Sequence, residues 1–150
     1  MKLALSLVLG AALLSVSAHA DIVWRWSCTG AGFDASGTLT TKNAPDADGF
    51  YQIVAIRGEG GGVSITGLQP AGTSIPLNVG YPVDNLVREA APQLTIHGFA
   101  FSLADGRFAN PFYAERFSPP GFYAFLSDPA AVRTSEPKVE FSASIVSRAK

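Results

Sequence analysis

The sequence predicts an all-β protein: a single antiparallel domain of about eight strands, arranged as a β-sandwich or as a Greek-key barrel. The clearest sign is a β-hairpin near the centre of the chain. Residues 50–57 and 63–68 are rich in β-branched and aromatic side chains, and the glycine cluster 58–62 lies between them. Glycine enters the left-handed backbone region that tight hairpin turns require. Similar strand-and-turn units on both sides of the hairpin extend the prediction to the whole domain.

The other predicted strands are recognised by alternation and by the turn residues at their ends. They cover residues 22–28, 35–41, 94–103, 108–117, 122–126 and 138–146. A change of phase within residues 94–103 predicts a bulge at Gly98, and Pro111 predicts a break in the strand that follows. Inward-facing side chains are expected from Ile22, Trp24, Trp26 and Cys28 in the first strand and from Val139, Phe141, Ala143 and Ile145 in the last.

Residues 69–92 form the longest stretch without strand periodicity. A connection of this length in a compact domain is either functional or packed by its own apolar side chains, which here are Ile75, Leu77, Val79, Tyr81 and Leu86. The segment 84–89 is compatible with one helical turn.

The first twenty residues are predicted to be a Sec-type bacterial signal peptide. Lys2 precedes an apolar run at residues 3–14, and Ala18-His19-Ala20 is a small-residue cleavage site. We expect cleavage after Ala20, which leaves 130 of the 150 residues as one all-β domain, residues 21–150. The apolar run is too short to span a bilayer, so we expect a secreted or periplasmic protein without a retained membrane span.

The charge of the mature chain and its cysteine count limit the partners and the covalent links that we expect. After cleavage the chain has ten basic and twelve acidic residues, a net charge of −2, without blocks of one sign. A nucleic-acid partner is therefore not expected. Cys28 is the one cysteine and cannot form an intramolecular disulfide. We expect it to be a buried, small hydrophobic residue.

Residues with catalytic or metal-binding chemistry are few. His97 is the one histidine left after cleavage, and no Gly-x-Ser-x-Gly motif accompanies it. Asp46, Asp48 and the glycine that follows resemble part of a calcium loop, but they are also ordinary turn residues, and no glutamate lies at the expected distance. Asp105 and Glu115 flank the hairpin at Gly106, where two carboxylates would form a glycosidase-type pair, but scattered acidic residues are usually solvated. We therefore predict no catalytic residue, no metal site and no cofactor.

Aromatic side chains supply the best candidates for binding. Seven of them lie within residues 108–125, where they either fill the core or stack on a ligand. If the protein binds a ligand, the expected surface joins the loop 69–92 to the segment 112–123, because rigid β scaffolds present recognition residues on loops. The candidate binding residues are Tyr81, Tyr113 and Tyr123, each with a stacking face and a hydroxyl group.

Five segments carry a resemblance to a known group of proteins. They are 36–41, 49–58 (Gly-Phe-Tyr-Gln-Ile-Val-Ala-Ile-Arg-Gly), 63–68 (Val-Ser-Ile-Thr-Gly-Leu), 84–85 and 94–101. Together they are similar to exported bacterial all-β proteins of unknown function, many of which carry a PEP-CTERM sorting tail. Such a tail has Pro-Glu-Pro, an apolar helix and terminal basic residues, whereas here Glu136-Pro137 precedes an amphipathic strand. The resemblance thus implies a soluble exported product and assigns no role to any residue.

The functional expectation is a non-catalytic exported β domain that acts as a surface or matrix component or as a ligand-binding module. Its expected partner is a glycan or a surface protein. The alternative is a secreted hydrolase that acts on a polysaccharide or an ester through a site without a recognised motif.

Overall fold

In the computed structural model, which describes residues 21–148, eight antiparallel strands close into a barrel. They are β1 (Ile22–Gly30), β2 (Phe33–Thr41), β3 (Tyr51–Gly60), β4 (Val63–Leu68), β6 (Phe101–Leu103), β7 (Phe108–Ala114), β8 (Gly121–Asp128) and β10 (Lys138–Arg148). Two short strands, β5 (Leu86–Val87) and β9 (Arg133–Ser135), pair with β3 and β8. The prediction of an all-β fold is confirmed for these residues. The predicted signal peptide and the last two residues lie outside them.

The order of the strands is that of a closed meander. Each barrel strand pairs with the next barrel strand along the chain, and β10 pairs with β1 on one side and with the start of β8 on the other. The barrel alternative is therefore the one observed. Among the described residues, each barrel strand is hydrogen-bonded to the next barrel strand along the chain, so the sheet shows neither the two separate layers of a sandwich nor the strand order of a Greek key. The described residues also contain no helix of the length and hydropathy that a bilayer crossing requires.

The central hairpin is confirmed, with a shorter turn than the glycine cluster indicated. Gly60 pairs with Val63, so the connection is the two-residue loop Gly61-Gly62. Both glycines have positive φ, at 59° and 75°, as a type I′ turn requires. Gly58 lies within β3, where it pairs with Gly37 of β2. A Cβ atom at either position would overlap the opposite backbone, so glycine permits the close approach of these two strands.

The barrel interior is filled by side chains. The inward face of β1 is confirmed, since Ile22, Trp24, Trp26 and Cys28 are all buried. The Trp26 ring lies edge-on to Phe99, with centroids 5.3 Å apart, and Trp24 Nε1 donates a hydrogen bond to Thr41 Oγ1 at 3.0 Å. Val139, Phe141 and Ala143 of β10 are also buried, as predicted, and Ile145 is half-buried. This packing leaves the surface and the barrel ends as places for a ligand.

The predicted strand over residues 94–103 is wrong in its first part. β6 covers Phe101–Leu103, whereas residues 95–98 form a turn. Thr95 Oγ1 accepts hydrogen bonds from the backbone N–H groups of His97 and Gly98, at 3.2 and 3.0 Å. Gly98 has φ 58°, a left-handed conformation outside the β region, and β6 begins only at Phe101. A side chain bonding to the local backbone has replaced the strand ladder that alternation predicted.

Two further predictions are corrected. β7 runs through Pro111 without a break: the Pro111 carbonyl accepts from Phe99 N at 3.2 Å, so its ring nitrogen faces away from β8 and no bond to β8 is lost. Residues 84–89 form no helical turn. Leu86 and Val87 instead pair with Gln52 and Tyr51 as β5.

Three connections, including the longest one, lie at one end of the barrel. Antiparallel strands alternate in direction, so the connections 42–50, 69–100 and 115–120 all leave and re-enter at the same end, whereas two-residue turns close much of the other. The first part of the connection 69–100 folds over the outer face of β7 and β8. There Ile75, Val83 and Ala100 form a second buried cluster with Phe108 and Phe125. Residues 69–100 thus add a second layer outside the barrel wall at the end where these three connections lie.

Candidate functional site

A large cavity opens at the end of the barrel where the connections 42–50, 69–100 and 115–120 lie. Its volume is about 730 Å³, which lies in the range typical of small-ligand sites. Residues from all three connections and from the end of β7 line it: Phe50, Arg88, Pro92, Leu94, Thr95, Ile96, Tyr113, Glu115, Arg116 and Phe117. We call it the mouth cavity. Its walls combine apolar and aromatic side chains with three charged groups, a combination suited to a polar ligand that has flat faces.

Arg88 is held in place by neutral groups. Its Nε donates to the Pro92 carbonyl at 2.8 Å and its Nη1 donates to the Asp48 carbonyl at 3.2 Å. The guanidinium group lies over the Phe50 ring, 4.4 Å from its centroid. Of the five guanidinium N–H donors, two are used by the residues that the structure describes. The side chain is thus oriented, and it forms no ion pair with a carboxylate of residues 21–148.

The other two charged groups of the mouth cavity are also unpaired. Glu115 and Arg116 are exposed, and neither takes part in an ion pair among residues 21–148, where three pairs occur elsewhere. The mouth cavity is therefore lined by two guanidinium groups and one carboxylate. Their charges add to one net positive charge, and its other lining residues are uncharged.

A second cavity adjoins the mouth cavity and shares Ile96 and Phe117 with it. It has a volume of about 330 Å³ and lies between the loop 78–81 and the outer face of β7 and β8. Its other lining residues are Asn78, Tyr81, His97, Asn110, Phe112, Phe125 and Glu136. We call it the side cavity. We call the two cavities together the groove: Ile96 and Phe117 form the wall that they share, and aromatic side chains line both of them.

The three predicted tyrosines lie around this groove in different roles. Tyr81 lines the side cavity and is 69% exposed, so its ring face is open to a ligand. Tyr113 lines the mouth cavity, although its ring also packs edge-on against Phe122, with centroids 5.1 Å apart. Tyr123 lies behind Phe117, at 4.8 Å between centroids, and its hydroxyl donates to the Pro119 carbonyl at 2.7 Å. Tyr123 therefore supports the wall, while Phe117 presents the surface.

Two titratable groups line the side cavity. Glu136 is exposed as a whole residue, yet partial burial of its carboxyl group raises the pKa of that group. His97 is exposed, and its Nδ1 lies 3.0 Å from the Pro82 carbonyl oxygen, which fixes the orientation of the ring. The side cavity thus offers a carboxyl group and an imidazole to hydroxyl groups of a ligand.

The turn between the two cavities is stiffened by Asp84. The Thr95 hydroxyl donates to Asp84 Oδ2 at 2.6 Å, and Leu86 N donates to Asp84 Oδ1 at 3.2 Å. Burial raises the pKa of Asp84, and these hydrogen bonds act in the opposite direction. Because Thr95 also accepts from His97 and Gly98, the carboxyl group braces the residues that separate the two cavities.

The residues considered for calcium and for a glycosidase-type pair occupy ordinary structural positions. Asp46 Oδ1 accepts from the backbone N–H groups of Asp48 and Phe50, at 3.0 and 2.9 Å, as a turn residue does. No group of three or more potential metal ligands occurs in the described part of the chain. Asp105 and Glu115 lie at opposite ends of β7, so the glycosidase-type pairing is wrong. Asp105 instead pairs with Arg107 at 2.7 Å.

Several residues of the groove were not among the sequence candidates. Arg88, Arg116, Ile96 and Glu136 each stand alone in the sequence, and no spacing pattern joins them. A weak signal was present at Arg116-Phe117, since a charged residue beside an aromatic one precedes the turn Ser118-Pro119-Pro120.

Comparison of the chain with protein-family models, with curated proteins and with solved structures gave no match.

Proposed function

We propose that this protein is an exported, non-catalytic module that binds carbohydrate in the groove formed by the mouth cavity and the side cavity. The observation that carries the proposal is the shared wall of the two cavities, where Phe117 and Ile96 separate two pockets with aromatic linings. Sugar rings have apolar faces that stack on aromatic side chains and hydroxyl edges that need polar partners. The groove supplies both, with Tyr81 and Phe117 as faces and Glu115, His97 and Glu136 as polar edges.

The exposure of the groove residues supports binding to a partner outside the protein. Tyr81, Ile96 and Phe117 are large hydrophobic residues that are 69%, 56% and 37% exposed. Val79 and Leu77 on the adjacent loop are exposed as well. Contiguous exposed apolar side chains with polar groups at the rim are typical of recognition surfaces. A surface protein is the other partner class that these side chains suit.

A glycan array on the wild-type protein and on Tyr81→Ala tests the proposal. Tyr81 is mostly exposed, so truncation should leave the fold intact and weaken glycan binding about tenfold, as expected for the loss of one stacking face. Val132→Ala serves as the matched control, because Val132 is also largely exposed but lines neither cavity. Absence of glycan binding by wild type, together with capture of a defined surface protein that Tyr81→Ala fails to capture, would replace the carbohydrate proposal.

A secreted hydrolase is the second candidate, favoured by one observation. His97 and Glu136 line the same cavity, and the raised pKa of Glu136 is a property that a general acid requires. Hydrolase screening on polysaccharides and esters, run in parallel with the array, distinguishes the two functions. Turnover by wild type that is lost in both His97→Ala and Glu136→Gln, with folding retained, would establish the enzyme.

Export of the protein is part of this proposal, and a separate measurement tests it. Lys2, the apolar run 3–14 and Ala18-His19-Ala20 predict that the mature chain begins at Asp21. Intact-mass measurement on material recovered from the medium or the periplasm should give a chain of 130 residues. Recovery of a chain that retains Met1 would contradict export by this signal.

A further inference from the structure

We propose that the sugar bound in the mouth cavity carries a negative charge, as a uronate or a sulfate ester does. This inference rests on the proposed function and names the ligand class of the same groove. Its basis is the set of charges around the cavity: Arg88 and Arg116 are present without an ion pair, against a single carboxylate at Glu115. A ligand with one negative charge per ring would match this excess of positive charge.

Arg88 is arranged to receive an anion. Two backbone carbonyls and the Phe50 ring hold the guanidinium group, and all three are neutral. Binding therefore requires little ordering of this side chain, and unused N–H donors remain for a carboxylate or sulfate oxygen. The planar guanidinium fork matches the two oxygens of a carboxylate and two of the three oxygens of a sulfate.

Arg116 supplies the second positive charge from a different connection. It follows Glu115 in the segment 115–120, beside Phe117. Neither residue forms a hydrogen bond through its side chain within residues 21–148, so both remain available to a ligand. Glu115 can accept sugar hydroxyl groups, while the two guanidinium groups face the anionic substituent. Tyr113 and Phe117 line the same cavity and provide ring faces.

Calorimetric titration with matched oligosaccharides tests the inference. The probes are oligomers of galacturonate, of its methyl ester, of sulfated galactose and of unmodified galactose. We expect at least one charged oligomer to bind about tenfold more tightly than its neutral counterpart, with the difference shrinking as salt rises. The two charged probes show which anionic group is preferred.

The variants are Arg116→Gln and Arg57→Gln, which change the net charge equally. Arg57 is exposed on β3 and lines neither cavity, so it reports the effect of overall charge. Arg116→Gln should remove the preference for the charged oligomer, Arg116→Glu should reverse it, and Arg57→Gln should preserve it.

The outcomes separate the inference from the proposed function. Equal binding of charged and neutral oligomers by wild type would overturn the anionic ligand and leave carbohydrate binding standing. A preference that survives unchanged in Arg116→Gln would overturn the excess of positive charge in the mouth cavity as its origin. Absence of binding to every oligomer in this set and on the glycan array would overturn the proposed function itself.

Discussion

The side-chain amide of Gln93 replaces a neighbouring strand for Ala143. Its Nε2 donates to the Ala143 carbonyl at 2.8 Å, and its Oε1 accepts from Ala143 N at 3.0 Å. Ala143 lies in β10, beyond the two residue pairs that join β10 to β8. We call the junction between β8 and β10 the seam. Here the hydrogen bonding that closes the barrel is continued by one side chain, which belongs to the connection 69–100 that also lines the mouth cavity.

Replacing Gln93 should open this seam. Gln93→Ala removes both bonds to Ala143, together with a third from Nε2 to the Arg88 carbonyl at 3.2 Å. Two backbone groups of the buried Ala143 are left unpaired, so we expect the free energy of unfolding to fall by about 1–3 kcal/mol. Denaturant titration measures the change. Ser144→Ala is the control on the same strand, because Ser144 is exposed and makes no side-chain hydrogen bond among the described residues. Equal stabilities of the two variants would show that the amide contributes nothing to the seam.

Gly98 should tolerate no side chain. It has φ 58°, and a Cβ atom there would overlap the Pro111 carbonyl oxygen, which accepts a hydrogen bond from Phe99 N. We expect Gly98→Ala to lower the free energy of unfolding by more than about 3 kcal/mol.

Gly72→Ala isolates the steric part of that effect. Gly72 has a similar φ of 80°, but nothing lies within 4 Å of a Cβ built there. Its substitution should cost only the left-handed backbone penalty, about 1–2 kcal/mol. The difference between the two variants, measured by thermal and denaturant unfolding, reports the close approach of Gly98 to β7. No difference would contradict that packing.

The loop that covers β7 and β8 should depend on Ile75. This side chain is buried against Phe108 and Phe125, so Ile75→Ala should destabilise the protein by about 2–4 kcal/mol. It should also weaken ligand binding, because the loop 78–81 forms one wall of the side cavity. Val79→Ala is the control from the same loop: Val79 is 87% exposed, and its truncation should change stability by less than about 0.5 kcal/mol. Similar effects of both variants would contradict an anchor at Ile75.

Ionisation of the Cys28 thiol should lower the free energy of unfolding at high pH. Burial, with a smaller effect from Asp34, raises the pKa of its thiol from 9.0 to about 12. Between these values the unfolded chain has lost a proton that the folded chain keeps. Stability is therefore retained below pH 9 and decreases by about 1.4 kcal/mol per pH unit from there toward pH 12. Unfolding measured against pH should show this contribution in wild type and lack it in Cys28→Ala. Rapid reaction of the folded protein with a thiol reagent near pH 8 would contradict the burial.

The sequence by itself determined the elements whose signals are local. Alternation placed Trp24, Trp26 and Cys28 on one face of β1, and the glycine cluster 58–62 located the central hairpin. These predictions succeed because a period of two residues and a positive φ are properties of a few consecutive residues.

The tertiary structure alone decided how the barrel closes and which residues meet at its mouth. Whether β8 pairs with β10, and whether Gln93 completes the seam, depends on strand edges that are distant in sequence. The turn at Thr95–Gly98 overrode an alternating pattern because the Thr95 hydroxyl bonds to the local backbone. Arg88 and Arg116 come together because antiparallel strands return their long connections to the same end, a consequence of topology that no local motif records.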